Sequence, residues 1–183
     1  SAIFELNKEG ETINVTFGKT IIHSRRRFTY EEAQTVIENG QGDHAEELTI
    51  LNNIAKKIRK KRMGNGAIAF EKSEVRFKLD ETGKPLGVYL KTRKDAHLLI
   101  EDYMLLANEA VAKCGGRLIK GHPSSGFVYR IHDQPDPAKL EIFSSVAARF
   151  GYHVSFEEDP QQVASTLNNM LKKVEGRPEQ NVI

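Results

Sequence analysis

The sequence predicts an α+β fold, a mixed and antiparallel-rich sheet with packed helices, and three observations carry that expectation. Two pairs of short apolar runs flank turn chemistry, residues 2–6 with 12–17 and Glu74–Leu79 with Leu86–Lys91. Long segments with helical apolar spacing lie between and after them. The chain of 183 residues is 39% hydrophobic and 28% charged, enough to bury a core rather than stay disordered.

Along the chain, Asn7-Lys8-Glu9-Gly10-Glu11 joins the first two strands as a hairpin turn, and a third strand is predicted at Thr20–Ser24 after Gly18. Thr29 before Tyr30-Glu31-Glu32, with Ala33, Val36 and Ile37 behind, is a helix start, and Asn39-Gly40 stops that helix. After the link Gln41-Gly42-Asp43, Leu48, Leu51, Ile54, Ala55 and Ile58 fall at helical spacing up to Gly64-Asn65-Gly66. The turn Asp80-Glu81-Thr82-Gly83-Lys84-Pro85 separates two strands in which Val75, Phe77 and Leu79 face Val88 and Leu90. Asp95 opens the organising helix, which carries Leu98, Leu99, Tyr103, Leu106, Ala110 and Val111 until Gly115-Gly116. A loop over Arg117–Gly126 leads to a short predicted strand, Phe127–Ile131. A helix over about Pro137–Phe150, an extended piece Tyr152–Phe156 and a last helix over about Pro160–Lys173 follow. No internal repeat appears, so residues 1–183 read as a single fragment of one fold.

Composition narrows the function classes. The longest apolar runs, Ala67–Phe70 and Met104–Ala107, are too short to cross a bilayer, so no membrane partner is expected. The single cysteine, Cys114, excludes an internal disulfide framework and a multi-cysteine metal site, and makes a reducing, cytoplasmic location the expectation. Residues 45–132 hold 17 Lys and Arg against 10 Asp and Glu, while the flanks together are acidic. A basic middle favours an anionic partner.

Motifs for other chemistry fail on inspection. Gly18-Lys19-Thr20 lacks the earlier glycine of a P-loop, because position 13 is Ile13. Gly64-Asn65-Gly66-Ala67-Ile68-Ala69 follows a basic helix where a dinucleotide fingerprint needs a strand, so it is a helix-ending turn. His23, His44, His97, His122, His132 and His153 show no metal-ligand spacing and are assigned structural or surface roles. Ser124-Ser125 and Cys114 lack the settings that activate nucleophiles, and Asp133 and Asp136 are ordinary turn and capping residues. What remains is a cationic run with aromatic company. Lys56-Lys57-Ile58-Arg59-Lys60-Lys61-Arg62 places six cations in seven positions, and Arg25-Arg26-Arg27, Lys91, Arg93, Lys94, Tyr30 and Phe70 accompany it. Most such runs are merely solvated faces. Cations for phosphates and flat rings for unpaired bases nevertheless suit a single-stranded nucleic acid.

Several segments together resemble the RNB catalytic domain of the ribonuclease R and ribonuclease II family, and ribonuclease R more closely. They are Ile22-His23-Ser24-Arg25-Arg26-Arg27-Phe28-Thr29-Tyr30-Glu31-Glu32-Ala33, Gly66-Ala67-Ile68-Ala69-Phe70, the segment from Ala96-His97-Leu98-Leu99-Ile100-Glu101-Asp102-Tyr103 through Ala112, and Tyr129-Arg130-Ile131-His132 with Pro135-Asp136 and Lys139-Leu140. Order and spacing agree over nearly the whole chain. The resemblance implies a processive 3′-to-5′ exoribonuclease that threads single-stranded RNA toward magnesium ions and releases nucleoside 5′-monophosphates. The family's aspartate cluster and its Thr-Ser-Pro-Ile-Arg segment have no counterpart in this sequence, which opens at Ser1 without Met inside a predicted strand. The chain is therefore expected to be a partial RNB domain that binds no magnesium, is inactive alone and self-associates through surfaces that its neighbours would cover.

The resemblance carries three residues across. Tyr30 falls on the family's active-site tyrosine and Glu101 on the glutamate that reads the ribose near the 3′ end with it. Phe70 falls on the aromatic residue that stacks on a terminal base. A phenol and a carboxylate can both bond a 2′-hydroxyl, which DNA lacks, and a ring stacks on any base. The competing reading is a non-catalytic RNA-binding or protein-interaction module with an RNB-like fold. From pattern alone, Tyr30 and Glu101 are ordinary polar helix residues and Phe70 an ordinary core residue.

Overall fold

The computed structural model describes residues 1–69, 74–115, 127–157 and 159–183. Its contacts cluster into two compact units, Ser1–Lys60 with Ser73–Tyr129, and Lys61–Lys72 with Arg130–Ile183. Helices and antiparallel strands make up both the predicted α+β class and the observed one.

In the first unit, β1 (Ala2–Leu6) and β2 (Thr12–Phe17) form an antiparallel hairpin running from the Ala2–Phe17 pair to a register break after Glu5. The Asn7 side chain closes the turn, its Oδ1 accepting from the backbone N–H groups of Glu9 at 3.0 Å and Glu11 at 2.8 Å. Gly10 has φ of 78°, and a Cβ there would meet Ile58 Cγ1 at 3.2 Å, so the turn needs glycine both for its dihedral and for its seat on the next long helix.

Helix α1 (Tyr30–Asn39) begins with a complete capping box. Thr29 Oγ1 accepts from the Glu32 N–H, and the Glu32 carboxylate accepts from the Thr29 N–H at 2.7 Å. That backbone bond, reinforced by Arg26, holds the Glu32 carboxyl below its usual range. Gly40 ends the helix in the left-handed conformation, φ 66°.

Polar ties connect α1, α2 (Ala45–Gly64) and α3 (Asp95–Gly115). Arg59 reaches Asp102 Oδ2 with Nη2 at 2.7 Å and Nε at 2.9 Å, and the Asp102 side chain is only 1% exposed. Lys56 Nζ lies 2.6 Å from Asp95 Oδ2, and the Tyr103 hydroxyl donates to the Leu51 carbonyl at 3.1 Å. Burial of Tyr103, with Asp102 beside it, pushes its phenol above the usual range. Buried Gln34 on α1 accepts, through its amide oxygen, from the Ala96 N–H at 2.9 Å. It thereby satisfies a backbone donor that the first turn of α3 cannot satisfy itself.

Strands β3 (Glu74–Leu79) and β4 (Pro85–Lys91) form a second antiparallel hairpin, in which Val75 pairs with Leu90 and Phe77 with Val88, as the alternation predicts. Asp80 ties its turn by accepting from the Thr82 and Lys84 N–H groups at 2.9 Å each. The described strands thus make two separate two-stranded sheets.

In the second unit, α4 (Pro137–Arg149) and α5 (Pro160–Val174) each start with an aspartate cap followed by proline, Asp136-Pro137 and Asp159-Pro160. Ala147, Met170 and Val174 form the buried core, with Phe143, Tyr152, Val154 and Ile183 packed against it. A 3-10 turn, Pro178–Asn181, follows. The Tyr152 hydroxyl donates to Glu179 Oε1 in that turn at 2.5 Å.

Two predicted strands do not form. Thr20–Ser24 and Phe127–Ile131 carry β-type residues, but neither pairs with another strand among the described residues. Ile21, Ile22, Val128 and Ile131 are largely exposed there, and a strand without a ladder leaves its backbone to water. The predicted loop Arg117–Gly126 lies outside the described residues.

Candidate functional site

Tyr30 is the first residue of α1, placed there by the Thr29 cap, and is 43% exposed. Its ring stacks on that of His97, centroids 4.2 Å apart and planes 11° from parallel. His97 lies in the first turns of α3, and Glu101 follows four residues later, so the two share one helix face. Glu101 is half-buried and ion-paired with Arg93, which stands just before the helix. The packing of α1 on α3 therefore sets the Tyr30 ring on His97, one helical turn from the Arg93–Glu101 pair.

The locus offers a phenol, which can donate or accept, and a carboxylate held as an acceptor beside a guanidinium. Such a pair suits a neutral polyol edge better than a bare phosphate. Tyr30 is thus stacked on the residue one helical turn before Glu101, across 67 positions of sequence. Phe70 lies outside the described residues. The backbone leading to it is fixed within the second unit, where the Asn168 amide donates to the Ala67 carbonyl at 2.8 Å and accepts from the Ala69 N–H at 2.9 Å.

The cationic run is less available than its sequence implies. Lys56 and Arg59 are committed to Asp95 and Asp102, and Lys57 Nζ donates to the Lys8 carbonyl at 2.6 Å. Arg26 is bound to Glu32 at 3.1 Å and Asp43 at 3.4 Å and lies over the Phe28 ring at 4.6 Å. Arg25, Arg27 and Lys60 are exposed. Part of the expected phosphate-binding surface is therefore structural glue.

The sequence gives His97 only a structural or surface role and Arg93 only a place beside the cationic run, and nothing in it marks Gln34 or Asn168. The four-residue spacing of His97 and Glu101 on one helix is the local signal that ties His97 to the site. Among the described residues, no group of three or more His, Cys, Asp or Glu side chains is arranged to hold a metal ion. No described helix is long and apolar enough to cross a membrane.

A family model described as the RNB domain matches residues 1–183. The chain belongs to the RNB-domain family. Ribonuclease R 1 of Lactococcus lactis is 31% identical over 194 aligned positions, covering 100% of this chain and 22% of that protein. DIS3-like exonuclease 2 of Caenorhabditis elegans is 30% identical over 194 positions, covering 97% and 22% respectively. The RNB chain thus spans about a fifth of the length of these relatives. In three dimensions it matches RNase R of Mycoplasma genitalium in complex with ribose-methylated single-stranded RNA, with a TM-score of 0.83 and 20% identity over 99% of this chain and 28% of that one. This last likeness establishes a shared RNB fold.

Proposed function

We propose that this RNB chain supplies the 3′-terminal RNA-positioning part of a processive 3′-to-5′ exoribonuclease acting on single-stranded RNA. Tyr30 and Glu101 hydrogen-bond the ribose near the 3′ end, and Phe70 stacks on a terminal base. The observation that supports the reading is the stacking of Tyr30 on His97, one helical turn from the Arg93-paired Glu101 on α3. A 2′-hydroxyl is both donor and acceptor, so it can bond the carboxylate and the phenol at once, and 2′-deoxyribose cannot.

Hydrolysis to nucleoside 5′-monophosphates belongs, in this reading, to magnesium ions held by residues beyond this chain, in a cytoplasmic enzyme without a membrane partner. The chain alone is inactive and self-associates through exposed apolar surface such as the β3–β4 face, where Phe77 and Val88 stand side by side in the open.

Two measurements test the reading together. Purified chain titrated with single-stranded RNA and DNA of one sequence should prefer RNA, and Tyr30→Phe and Glu101→Gln should each erode that preference. Incubated with RNA and magnesium, it should release no nucleotides. Equal affinity for the two nucleic acids that both substitutions leave unchanged would favour a protein-interaction module instead. Nucleotide release abolished by Glu101→Ala would place the chemistry within the chain.

A further inference from the structure

We infer that His97 is a positioning residue for ribose recognition, acting through the face of its ring to aim the Tyr30 hydroxyl beside the Glu101 carboxylate. This rests on the proposed RNA-reading role of Tyr30 and Glu101 and adds a residue to it.

Tyr30 opens its helix, so no preceding turn of α1 lies beneath its ring to fix it. A side chain 43% exposed and lacking local support would spread over its rotamers. The support comes instead from α3, where the His97 ring lies nearly parallel to the Tyr30 ring at 4.2 Å, a stacking distance. His97 is anchored in turn. Its Nδ1 faces the Lys94 N–H at 3.4 Å, and its backbone N–H donates to the Lys94 carbonyl at 3.0 Å, both within the turn that starts α3.

The helix beneath is pinned to α1 next door, where the Gln34 amide oxygen takes the Ala96 N–H. His97 and Glu101 lie one helical turn apart on α3, and Arg93, just before the helix, pairs with Glu101, so the ring under Tyr30 is followed on the same face by an anchored carboxylate. In this arrangement the ring face does the work. A flat hydrocarbon ring should therefore replace histidine, whereas a small side chain should not.

The test measures the affinity of the protein for a single-stranded RNA and for the same oligonucleotide with 2′-deoxyribose at its last nucleotides. The readout is the ratio of the two affinities, which a general loss of packing does not move selectively. His97→Ala should lower the ratio about three- to tenfold, the range an aromatic pair supports, and His97→Phe should largely restore it. Circular dichroism melts of both variants establish that they are folded.

A wild-type ratio retained by His97→Ala overturns the inference. So does a ratio lost equally in His97→Ala and His97→Phe, because a nitrogen rather than the ring face would then be at work. A wild-type protein without ribose preference, or one whose preference survives Tyr30→Phe, overturns the underlying reading and this inference with it. Preference lost in Tyr30→Phe but kept in His97→Ala overturns this inference alone.

Discussion

The two units are held together by different physics. Around α3, the first unit adds to its buried Val36, Ala55, Ala96 and Leu99 a set of directional polar contacts: Arg59 to Asp102, Lys56 to Asp95, Gln34 to the Ala96 N–H and Tyr103 to the Leu51 carbonyl. The second unit relies on an apolar cluster, Ala147, Met170 and Val174 with aromatic neighbours. Apolar burial is indifferent to orientation, whereas charge-assisted hydrogen bonds are not. The unit that carries Tyr30 and Glu101 is the one whose helices are fixed in register. That is what a hydrogen-bonding site needs, because its polar atoms must be placed to within a fraction of an ångström.

The sharpest way to break this contrast is Asp102→Ala, which strands the Arg59 guanidinium in a largely buried setting. It should cost about 3–5 kcal/mol in chemical denaturation. Hydrogen exchange should localise the loss to α2 and α3 and leave α5 protected. Met170→Ala should do the reverse. It opens a cavity costing about 2–4 kcal/mol, with lost protection in α5 and little change in α3. If the two substitutions affected the same amides, the contrast between the units would fail.

Removing the helix cap is a smaller perturbation. Thr29→Ala should destabilise α1 by about 1 kcal/mol, read as a lowered melting temperature, while Thr29→Ser stays near wild type. The smallest effect is the pH dependence of Asp95. The Lys56 ammonium, aided by Asn52, holds its carboxyl below the usual 3.8. A depressed folded value means that the contribution is fully present above pH 3.8 and is lost as pH falls through the folded value. Acid titration of stability should therefore be less steep below pH 3.8 in Asp95→Asn than in wild type. A steeper profile in the variant would reverse the assignment.

Local chemistry made much of the fold readable. Thr29, Asp136-Pro137, Asp159-Pro160 and Gly40 announce helix ends through caps that act within a few residues. The alternation in β3 and β4 gives their register, Val75 to Leu90 and Phe77 to Val88, because one face of a hairpin must match the other. Thr20–Ser24 and Phe127–Ile131 misled for the opposite reason. Their composition suits a strand, but a strand exists only with a partner, and nothing local specifies one.

The site divides in the same way. Tyr30 and Glu101 stand out through the resemblance of their segments to the RNB family, while spacing alone leaves them ordinary helix residues. The stacking of His97 on Tyr30 spans 67 positions and the Arg59–Asp102 bond spans 43, so both depend on how α1, α2 and α3 pack. The cationic run shows the limit most plainly. Six cations in seven positions read as one surface, yet Lys56, Lys57 and Arg59 are tied to Asp95, the Lys8 carbonyl and Asp102.

The central claim is that Tyr30 and Glu101 act on one ribose together. A double-mutant cycle of Tyr30→Phe, Glu101→Gln and the pair, read as the affinity ratio for RNA over its 3′-terminal deoxy counterpart, tests it directly. Coupled residues sharing one ligand group should show an interaction energy of about 0.5–3 kcal/mol, with the double variant little worse than either single one. Strictly additive losses, or no loss from either substitution, would contradict it.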